Sequence, residues 1–297
     1  MVSTVSPLIS VAELFQRMDD PALAIFDTSV ALPSPRFDGD YRVESGLAQW
    51  SEGHIPTAHH LDLTHDLADT SASFSFALPP LEELATRFAL LGITQQVTPV
   101  LYDKSDGFWA ARVWWMLRSV GITARILDGG YSAWCNAGKP VEKSTSQVNR
   151  LSKQTSIPHS TFTTQPDLWC DREQVLRIVN GDAEGTLVCG LSQSVFNGTA
   201  PTRYSRRGHI PGSLNLPARA LLDNNGCYRP VSELQDVLQP LLTRTPRPLV
   251  LYCGGGISAA VLAVALTLIG QTALCIYDGS LQEWSADPTL PLMTNPC

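Results

Sequence analysis

The sequence lacks several features that would assign a protein to a class at once. No Cys-x-x-Cys pair occurs among its seven cysteines, which excludes a zinc ribbon and a thioredoxin-type motif. The longest apolar stretch, Ile257 to Ile269, is too short to span a bilayer. Positive charge is scarce as well, since the net charge is −7. Such a charge argues against nucleic acid and anionic membrane surfaces as main partners.

The scattered, odd-numbered cysteines are typical of free thiols in a reducing compartment. Residues 1–20 contain acidic side chains and no signal-like apolar core. The 297 residues, of which 44% are hydrophobic and 16% charged, suffice for two ordinary domains with buried cores. We therefore expect a cytoplasmic protein with no membrane or nucleic-acid partner.

One short stretch holds the residues most suited to chemistry. The run from Leu249 to Tyr252 is typical of a buried strand and Ala259 to Ile269 of a helix, and between them lie Cys253 and the glycines 254–256. Glycine lets backbone N–H groups turn inward, and the positive end of a helix favours thiolate over thiol. The pattern indicates a nucleophile in an anion-binding turn, with a buried structural cysteine and a dinucleotide-binding turn as alternatives.

The dinucleotide alternative rests on Gly254-x-Gly256-x-x-Ala259 between a strand and a helix, with Asp278 downstream. A phosphatase is disfavoured, because an arginine would be needed at the place of Ala259 to clamp the phosphate. The length of chain after the glycine turn is also too short for the further strands of a Rossmann sheet.

The chain contains the same unit twice. Residues recur 150 positions apart, as in Tyr102-Asp103 and Tyr252-Cys253, Asp128-Gly129 and Asp278-Gly279, Trp134 and Trp284. Gly53-His-Ile-Pro56 recurs 155 positions on as Gly208-His-Ile-Pro211. Unrelated domains would not keep such a register, so the sequence predicts a tandem duplication.

Strands that alternate with helices predict an α/β fold, with a small parallel sheet flanked by helices in each copy. The predicted domains are residues 1–143 and 166–297, joined by a polar linker over residues 144–165. At the turn equivalent to that of Cys253, the first copy has Asp103-Lys-Ser-Asp-Gly107 and no glycine fingerprint, yet it keeps the downstream Asp-Gly. Asp278 is therefore expected to belong to the shared scaffold rather than to bind a ribose.

These motifs resemble those of the tandem-domain rhodanese family, the thiosulfate and 3-mercaptopyruvate sulfurtransferases, over nearly the whole chain. The first copy carries Gly53-His-Ile-Pro56, Tyr102-Asp103, Arg112-Val-Trp-Trp-Met-Leu117 and Leu127-Asp-Gly-Gly130. The second carries Gly208-His-Ile-Pro-Gly212, Cys253-Gly-Gly-Gly-Ile-Ser258 and Ile276-Tyr-Asp-Gly-Ser280. The resemblance implies two rhodanese-like domains, of which the first is non-catalytic because Asp103 takes the place of the cysteine.

The resemblance also implies a mechanism. The Cys253 thiolate attacks the outer sulfur of a small anionic donor, becomes a persulfide, and passes the sulfur to a thiol, to cyanide or to a protein cysteine. The residues expected to hold the donor or the persulfide are Gly254, Gly255, Gly256, Ile257, Ser258, Arg203 and Arg207. No metal and no cofactor is expected.

Two departures from the family pattern leave the donor open between 3-mercaptopyruvate and thiosulfate. The resemblance implies two arginines for the mercaptopyruvate carboxylate; Arg203 corresponds to the second, but Val195 stands at the place of the first. Cys189 stands where the family usually has aspartate, and it is expected to be a buried strand-end thiol rather than a second reactive one. These departures favour, as an alternative, a non-catalytic persulfide carrier or interaction module.

The histidines are expected to be structural. His54 and His209 occupy matching turns, and the first copy keeps its histidine without a nucleophile. No cluster of carboxylates or cysteines accompanies His59, His60 and His65, so these residues do not predict a metal site.

Overall fold

The computed structural model describes residues 5–144, 162–243 and 248–295. These residues form two α/β units, each built around a five-stranded sheet in which every strand pairing is parallel. Most of the predicted linker, residues 145–161, lies outside the described residues, so the domain boundaries stay predictions. Among the described helices, none combines the length and hydrophobicity that crossing a membrane requires.

The first unit contains the N-terminal strands and helices. Its strands are β1 (Leu8–Ile9), β2 (Leu23–Asp27), β3 (Val30–Ala31), β4 (Glu44–Ser45), β5 (His59–His60), β6 (Thr98–Tyr102) and β7 (Arg125–Leu127). Its helices are α1 (Val11–Gln16), α2 (Leu47–Glu52), α3 (Leu81–Leu90), α4 (Phe108–Ser119) and α5 (Gly130–Asn136). The main sheet has the order β1-β7-β6-β2-β5, and β3 and β4 form a separate antiparallel pair.

The second unit repeats this arrangement. Its strands are β8 (Trp169–Cys170), β9 (Thr186–Cys189), β10 (Leu214–Asn215), β11 (Leu249–Tyr252) and β12 (Leu274–Tyr277). Its helices are α6 (Arg172–Asn180), α7 (Gln193–Phe196), α8 (Val231–Thr243), α9 (Ile257–Leu268) and α10 (Ser280–Ala286), with short 3-10 turns at Pro166–Leu168 and Ala218–Leu221. The order β8-β12-β11-β9-β10 matches the first sheet strand for strand, as a tandem duplication requires.

Helices α4 and α9 pack against each other and join the two units. Most residues of both helices are buried, because both are apolar around nearly their whole circumference. One hydrophobic core therefore runs through both units, with Trp115 and Leu117 from the first and Leu262 and Leu266 from the second. Since α4 follows β6 and α9 follows β11, the two strand-to-helix turns lie at this shared interface.

The helix after Cys253 begins earlier than the apolar pattern predicts. It starts at Ile257 rather than Ala259, because Gly256 has φ +79 and turns the chain directly into the helix. Gly107 does the same before α4, with φ +81. The turn is consequently one residue shorter in the second unit, where it runs from Cys253 to Gly256, than in the first, where it runs from Asp103 to Gly107.

Candidate active site

Cys253 lies at the carboxyl end of β11, the central strand of the second sheet, and is 2% exposed. It lines a cavity of about 400 Å³ that both units enclose, with Val30, Phe108 and Trp109 from the first unit and Leu191 from the second. Open parallel sheets bind ligands outside the carboxyl ends of their strands. This cavity is therefore the candidate active site.

The structure brings most of the predicted site residues to this cavity. Its lining includes Cys253, Gly254, Ile257, Ser258 and Arg203. Gly255 and Gly256 belong to the same turn but not to the lining. Arg207 is not among the lining residues either, because its Nε donates to both carboxylate oxygens of Asp38, at 2.9 Å each, on the surface.

The glycines of the turn are required by side chains packed against them. A Cβ atom at Gly254 would overlap the Tyr204 hydroxyl, and one at Gly255 would lie 2.6 Å from Nε2 of Gln282. Gly254 O also accepts a hydrogen bond from Gln282 N at 2.9 Å. A larger residue at either position would force the turn away from these neighbours.

Gly256 completes the set, because a Cβ atom there would lie 2.7 Å from Nη1 of Arg112, a residue of the first unit. The start of α10 holds the turn from the other side. Cys253 N donates to Ser280 Oγ at 3.2 Å, and Cys253 O accepts from Leu281 N at 3.1 Å. The backbone of the turn is thus fixed by elements of both units.

The equivalent turn of the first unit binds the carboxylate of one of its own residues, Asp103. The Asp103 carboxylate is wholly buried and accepts N–H bonds from Ser105, Gly107, Trp109 and Ala110 at 2.6 to 2.9 Å. Burial raises the pKa of Asp103, and the N–H donors oppose that shift. The turn and the first residues of α4 therefore form an anion-binding cradle.

The second unit has the corresponding backbone residues after its cysteine. Counted from the start of each helix, Gly107, Trp109 and Ala110 correspond to Gly256, Ser258 and Ala259. Cys253 stands where Asp103 stands, at the end of the matching strand. Such a cradle suits a thiolate or a persulfide anion, since inward N–H groups and a helix N-terminus both stabilise negative charge.

Two guanidinium groups line the cavity, those of Arg203 and Arg219. Arg203 donates through Nη2 to Pro33 O at 2.6 Å, and its Nε is buried without a hydrogen-bond partner in the described parts of the chain. Arg219 pairs with Asp106 of the first unit and lies 5.0 Å from the ring centroid of Phe108. They provide local positive charge beside the cysteine in a protein that is negative overall.

A second thiol lies one strand away from Cys253. Cys189 ends β9 and lies opposite Tyr252 of β11. It is fully buried, and burial raises its pKa to about 12. The Cys189 thiol therefore stays neutral at physiological pH, which agrees with the buried strand-end role expected from the sequence.

The two matching histidines are held alike. Nδ1 of His54 lies 2.9 Å from Trp50 O and the ring stacks on that indole, while Nδ1 of His209 lies 2.8 Å from Phe196 O and the ring stacks on that phenyl group. Both are buried outside the cavity lining, as a structural role requires. Within the described residues, no group of three or more His, Cys, Asp or Glu could hold a metal ion.

A larger cavity, of about 910 Å³, lies beside β8 and β12 and does not include Cys253. Its lining includes two other thiols, those of Cys170 and Cys275. We assign the chemistry to the smaller cavity, because it contains the cysteine at the helix N-terminus together with both guanidinium groups.

Sequence reasoning missed four residues that surround the turn: Arg112, Tyr204, Arg219 and Gln282. Tyr204 could have been found, because it directly follows Arg203. Arg112 is visible in the sequence only as the first residue of a motif in the other domain. The positions of Arg219 and Gln282 near the cysteine carry no sequence signal, since they depend on how distant segments pack.

The chain matches the Rhodanese-like domain family over residues 10–137 and 192–287. It is 32% identical to thiosulfate/3-mercaptopyruvate sulfurtransferase 1, mitochondrial, of Arabidopsis thaliana, over 98% of this chain and 79% of that protein. It is 28% identical to the 3-mercaptopyruvate sulfurtransferase of Escherichia coli K12, over 94% of this chain and 95% of that protein.

Solved structures show the same architecture. A 3-mercaptopyruvate sulfotransferase from Escherichia coli matches with a TM-score of 0.75 at 26% identity, covering 93% of this chain and 99% of that one. The Tum1 protein of Saccharomyces cerevisiae matches with a TM-score of 0.81 at 22% identity, over 98% of this chain and 99% of that one. At that identity the second likeness concerns the fold alone.

Proposed function

This chain belongs to the rhodanese family, and we propose that it is a sulfurtransferase whose nucleophile is Cys253. It takes a sulfane sulfur from a small anionic donor, 3-mercaptopyruvate or thiosulfate, and gives it to a thiol or to cyanide. The observation that supports this most is the pair of equivalent turns. One turn binds the carboxylate of Asp103 through four N–H groups, and the other presents the sulfur of Cys253 at the same place.

In the first half-reaction the Cys253 thiolate attacks the outer sulfur of the donor. The bond from that sulfur to the rest of the donor breaks, and its electron pair leaves with the remainder. That remainder is sulfite from thiosulfate or, after protonation, pyruvate from 3-mercaptopyruvate. Cys253 becomes a persulfide, and the N–H groups of its turn stabilise the charge on the terminal sulfur.

In the second half-reaction an acceptor attacks the terminal sulfur of the persulfide. The sulfur–sulfur bond breaks, and the electron pair returns to Cys253 as a thiolate. A thiol acceptor, either a small molecule or a protein cysteine, leaves as a persulfide, and cyanide leaves as thiocyanate. Each half-reaction is balanced without an external oxidant or reductant, so the cycle needs no cofactor.

We propose that Arg203 and Arg219 bind the anionic group of the donor. Both line the cavity that contains Cys253. Arg219 is exposed and held by Asp106, so an incoming anion can compete for its guanidinium. Arg219 thus supplies a second guanidinium although Val195 stands where the family places one. Carboxylate and thiosulfate oxygens both fit such groups, so both donors remain candidates.

Two further points concern Arg207 and the location of the protein. Arg207 forms an exposed pair with Asp38, from which it would act on an approaching anion only by long-range attraction. A cytoplasmic location remains an expectation from the sequence. Transfer of the sulfur to a thiol or to cyanide depends on neither of these points.

The proposal is tested by incubating the protein with each donor and with cyanide or a thiol, and measuring released pyruvate, sulfite and thiocyanate. Wild type is expected to turn over at least one donor. The Cys253→Ser variant should lose about a thousandfold in kcat, because serine is a far weaker sulfur nucleophile. The matched control, Cys189→Ser, should stay within about twofold of wild type, since the Cys189 thiol is neutral and buried.

The intact mass of the protein after treatment with a donor distinguishes an enzyme from a non-catalytic persulfide carrier. A gain of one sulfur atom on Cys253 without turnover would favour the carrier alternative suggested by Val195 and Cys189. Equal turnover by Cys253→Ser and wild type would reject Cys253 as the nucleophile.

A further inference from the structure

Arg112 of the first unit is packed against the back of the cysteine turn in the second unit. It lies on α4 and is wholly buried. Its Nη2 donates to Phe76 O at 2.9 Å and to the carboxylate of Asp278, which belongs to the second unit. A buried cation needs a paired anion. Asp278 therefore ties this arginine, and α4 with it, to the unit that carries Cys253.

The guanidinium reaches the turn at Gly256. A Cβ atom there would lie 2.7 Å from Nη1 of Arg112 and 3.5 Å from Asp278 O. Neither Nη1 nor Nε of Arg112 has a hydrogen-bond partner within the described residues. One of these donors, Nη1, thus lies against the backbone just before α9, three residues after Cys253.

One contact between the units occurs twice, once from each Asp-Gly aspartate. Asp278 accepts a hydrogen bond from Leu78 N at 2.8 Å, and Asp128 accepts one from Tyr228 N at 2.9 Å. Each Asp-Gly aspartate therefore binds the backbone of the other unit. These contacts belong to the shared scaffold, as the sequence predicts for Asp278.

The arginine is not repeated. Arg112 is the fifth residue of α4, whereas the fifth residue of α9 is Val261. A Cβ atom at Gly107, which precedes α4, would meet nothing within 4 Å. The exposed Arg219 pairs with the first turn through its aspartate, whereas a buried guanidinium, that of Arg112, lies against the cysteine turn.

The backbone is strained at Phe76, whose carbonyl oxygen accepts the other hydrogen bond from Arg112. Phe76 has φ +63, an unusual value for a bulky residue, where the second unit has Gly226 with φ +77. The Phe76 ring packs on Trp109, with centroids 5.1 Å apart, and Trp109 lines the cavity. Such strain persists where the surrounding structure needs it, and here it aims the Phe76 carbonyl at Arg112.

The two turns differ in what holds their backbone in place. Asp103 closes its own turn through four N–H bonds. A sulfur is a weak acceptor and does not hold several N–H groups in the same way. Support for the Cys253 turn must therefore come from outside it.

We propose that Arg112 is a positioning residue for sulfur transfer. It holds the turn from Cys253 to Gly256 in the shape in which the N–H groups meet the sulfur, and it adds positive charge behind them. The non-catalytic unit thereby takes part in the reaction. This inference rests on the proposed function, because it requires Cys253 to be the nucleophile.

The test compares Arg112→Met and Arg112→Lys with a matched control, Arg118→Met. Arg118 lies on the same helix and also crosses the interface, where Nη1 donates to Thr267 Oγ1 at 3.2 Å. Thr267 lies near the far end of α9, so this control removes a cross-unit arginine without touching the cysteine turn. Folding of each variant is checked by circular dichroism.

The main readout is the rate of alkylation of Cys253 by iodoacetamide from pH 5 to 9, followed by peptide mass. It needs no sulfur donor. In Arg112→Met the rate at pH 7 should fall about tenfold, because the turn loses the charge and the contact that hold its N–H groups toward the sulfur. With a donor, kcat should fall while KM stays within about twofold. Arg112→Lys should recover most of the rate, and Arg118→Met should match wild type.

An alkylation profile of folded Arg112→Met equal to that of wild type would overturn the inference, as would an equal loss in Arg118→Met. If Arg112→Met does not fold, Asp278→Asn decides. Because Asp278 ties Arg112 to the second unit, loss of its charge should slow alkylation of Cys253, and an unchanged or faster rate overturns the inference. Sulfur transfer absent from wild type, with alkylation still dependent on Arg112, would reject the proposed function alone.

Discussion

Cys253 and Asp103 end matching strands, and the difference between one thiol and one carboxylate separates the chemistry of the two units. The Asp103 carboxylate is bound by four N–H groups, and a carboxylate is a poor nucleophile toward sulfur. Cys189 illustrates the opposite condition. It is a thiol, but burial raises its pKa to about 12, so it lacks the charge that reacts.

Cys189 should stay unreactive over the whole physiological range. Because its pKa is raised, the neutral thiol persists well above pH 9 and ionises only near pH 12. In Cys253→Ser treated with iodoacetamide between pH 6 and 9, peptide mass should show no label on Cys189. Cys135, which is exposed, serves as the positive control in the same sample. Labelling of Cys189 at pH 8 comparable with that of Cys135 would contradict this.

Gly254→Ala should remove activity through a steric effect. The added methyl group would overlap the Tyr204 hydroxyl, so the turn must move, and kcat should fall at least about a hundredfold. The matched control is Gly270→Ala, where φ is +83 and a Cβ atom meets nothing within 4 Å. That variant should lose about 1 kcal/mol of stability and keep its turnover. Wild-type turnover by Gly254→Ala would show that the turn tolerates the displacement.

At the scale of elements, the functional unit is a strand, a tight turn and a buried helix. The two copies share this unit, with β6 and α4 in the first and β11 and α9 in the second. The first closes its turn with its own carboxylate, and the second relies on Tyr204, Gln282 and Arg112 packed against three glycines. The same element is therefore held together from within in the first copy and from outside in the second.

Asp103→Ala should destabilise the fold strongly. Four N–H groups, mostly buried, would lose their acceptor, at a cost of about 3 to 5 kcal/mol in the free energy of unfolding. The control is Asp223→Ala, which removes an exposed carboxylate that accepts from Asn225 N and Cys227 N. Water can replace that acceptor, so the loss should be about 1 kcal/mol or less. Urea denaturation measures both, and equal losses would argue against the cradle.

At the scale of the molecule, the two units form one body around the α4–α9 contact. The core cluster contains residues of both units, and the candidate active site has walls from both. The cross-unit contacts at Asp278, Asp128 and Arg219 lie around this contact. The proposed catalysis at Cys253 would therefore depend on the presence of the first unit.

The two units should unfold together. Because one hydrophobic core crosses the interface, separation would expose α4 and α9, so neither unit is stable without the other. Calorimetry of the wild-type protein should give one transition with equal calorimetric and van't Hoff enthalpies. The total tryptophan fluorescence, which includes Trp115 in the shared core and Trp284 in the second unit, should change at that same temperature. Two separated transitions would contradict a single cooperative body.

The duplication, the α/β fold and the turn that presents Cys253 could be predicted from the sequence, because these depend on patterns local to the chain: apolar runs, glycines and a repeated register. The predicted β11 has the bounds that the structure shows, and the predicted fold is confirmed. The start of α9 at Ile257 escaped prediction, since it depends on the φ angle of Gly256. Only the tertiary structure decided which charges accompany the cysteine. Arg112 and Arg219 reach the turn and its cavity through packing between distant segments, which no local pattern encodes.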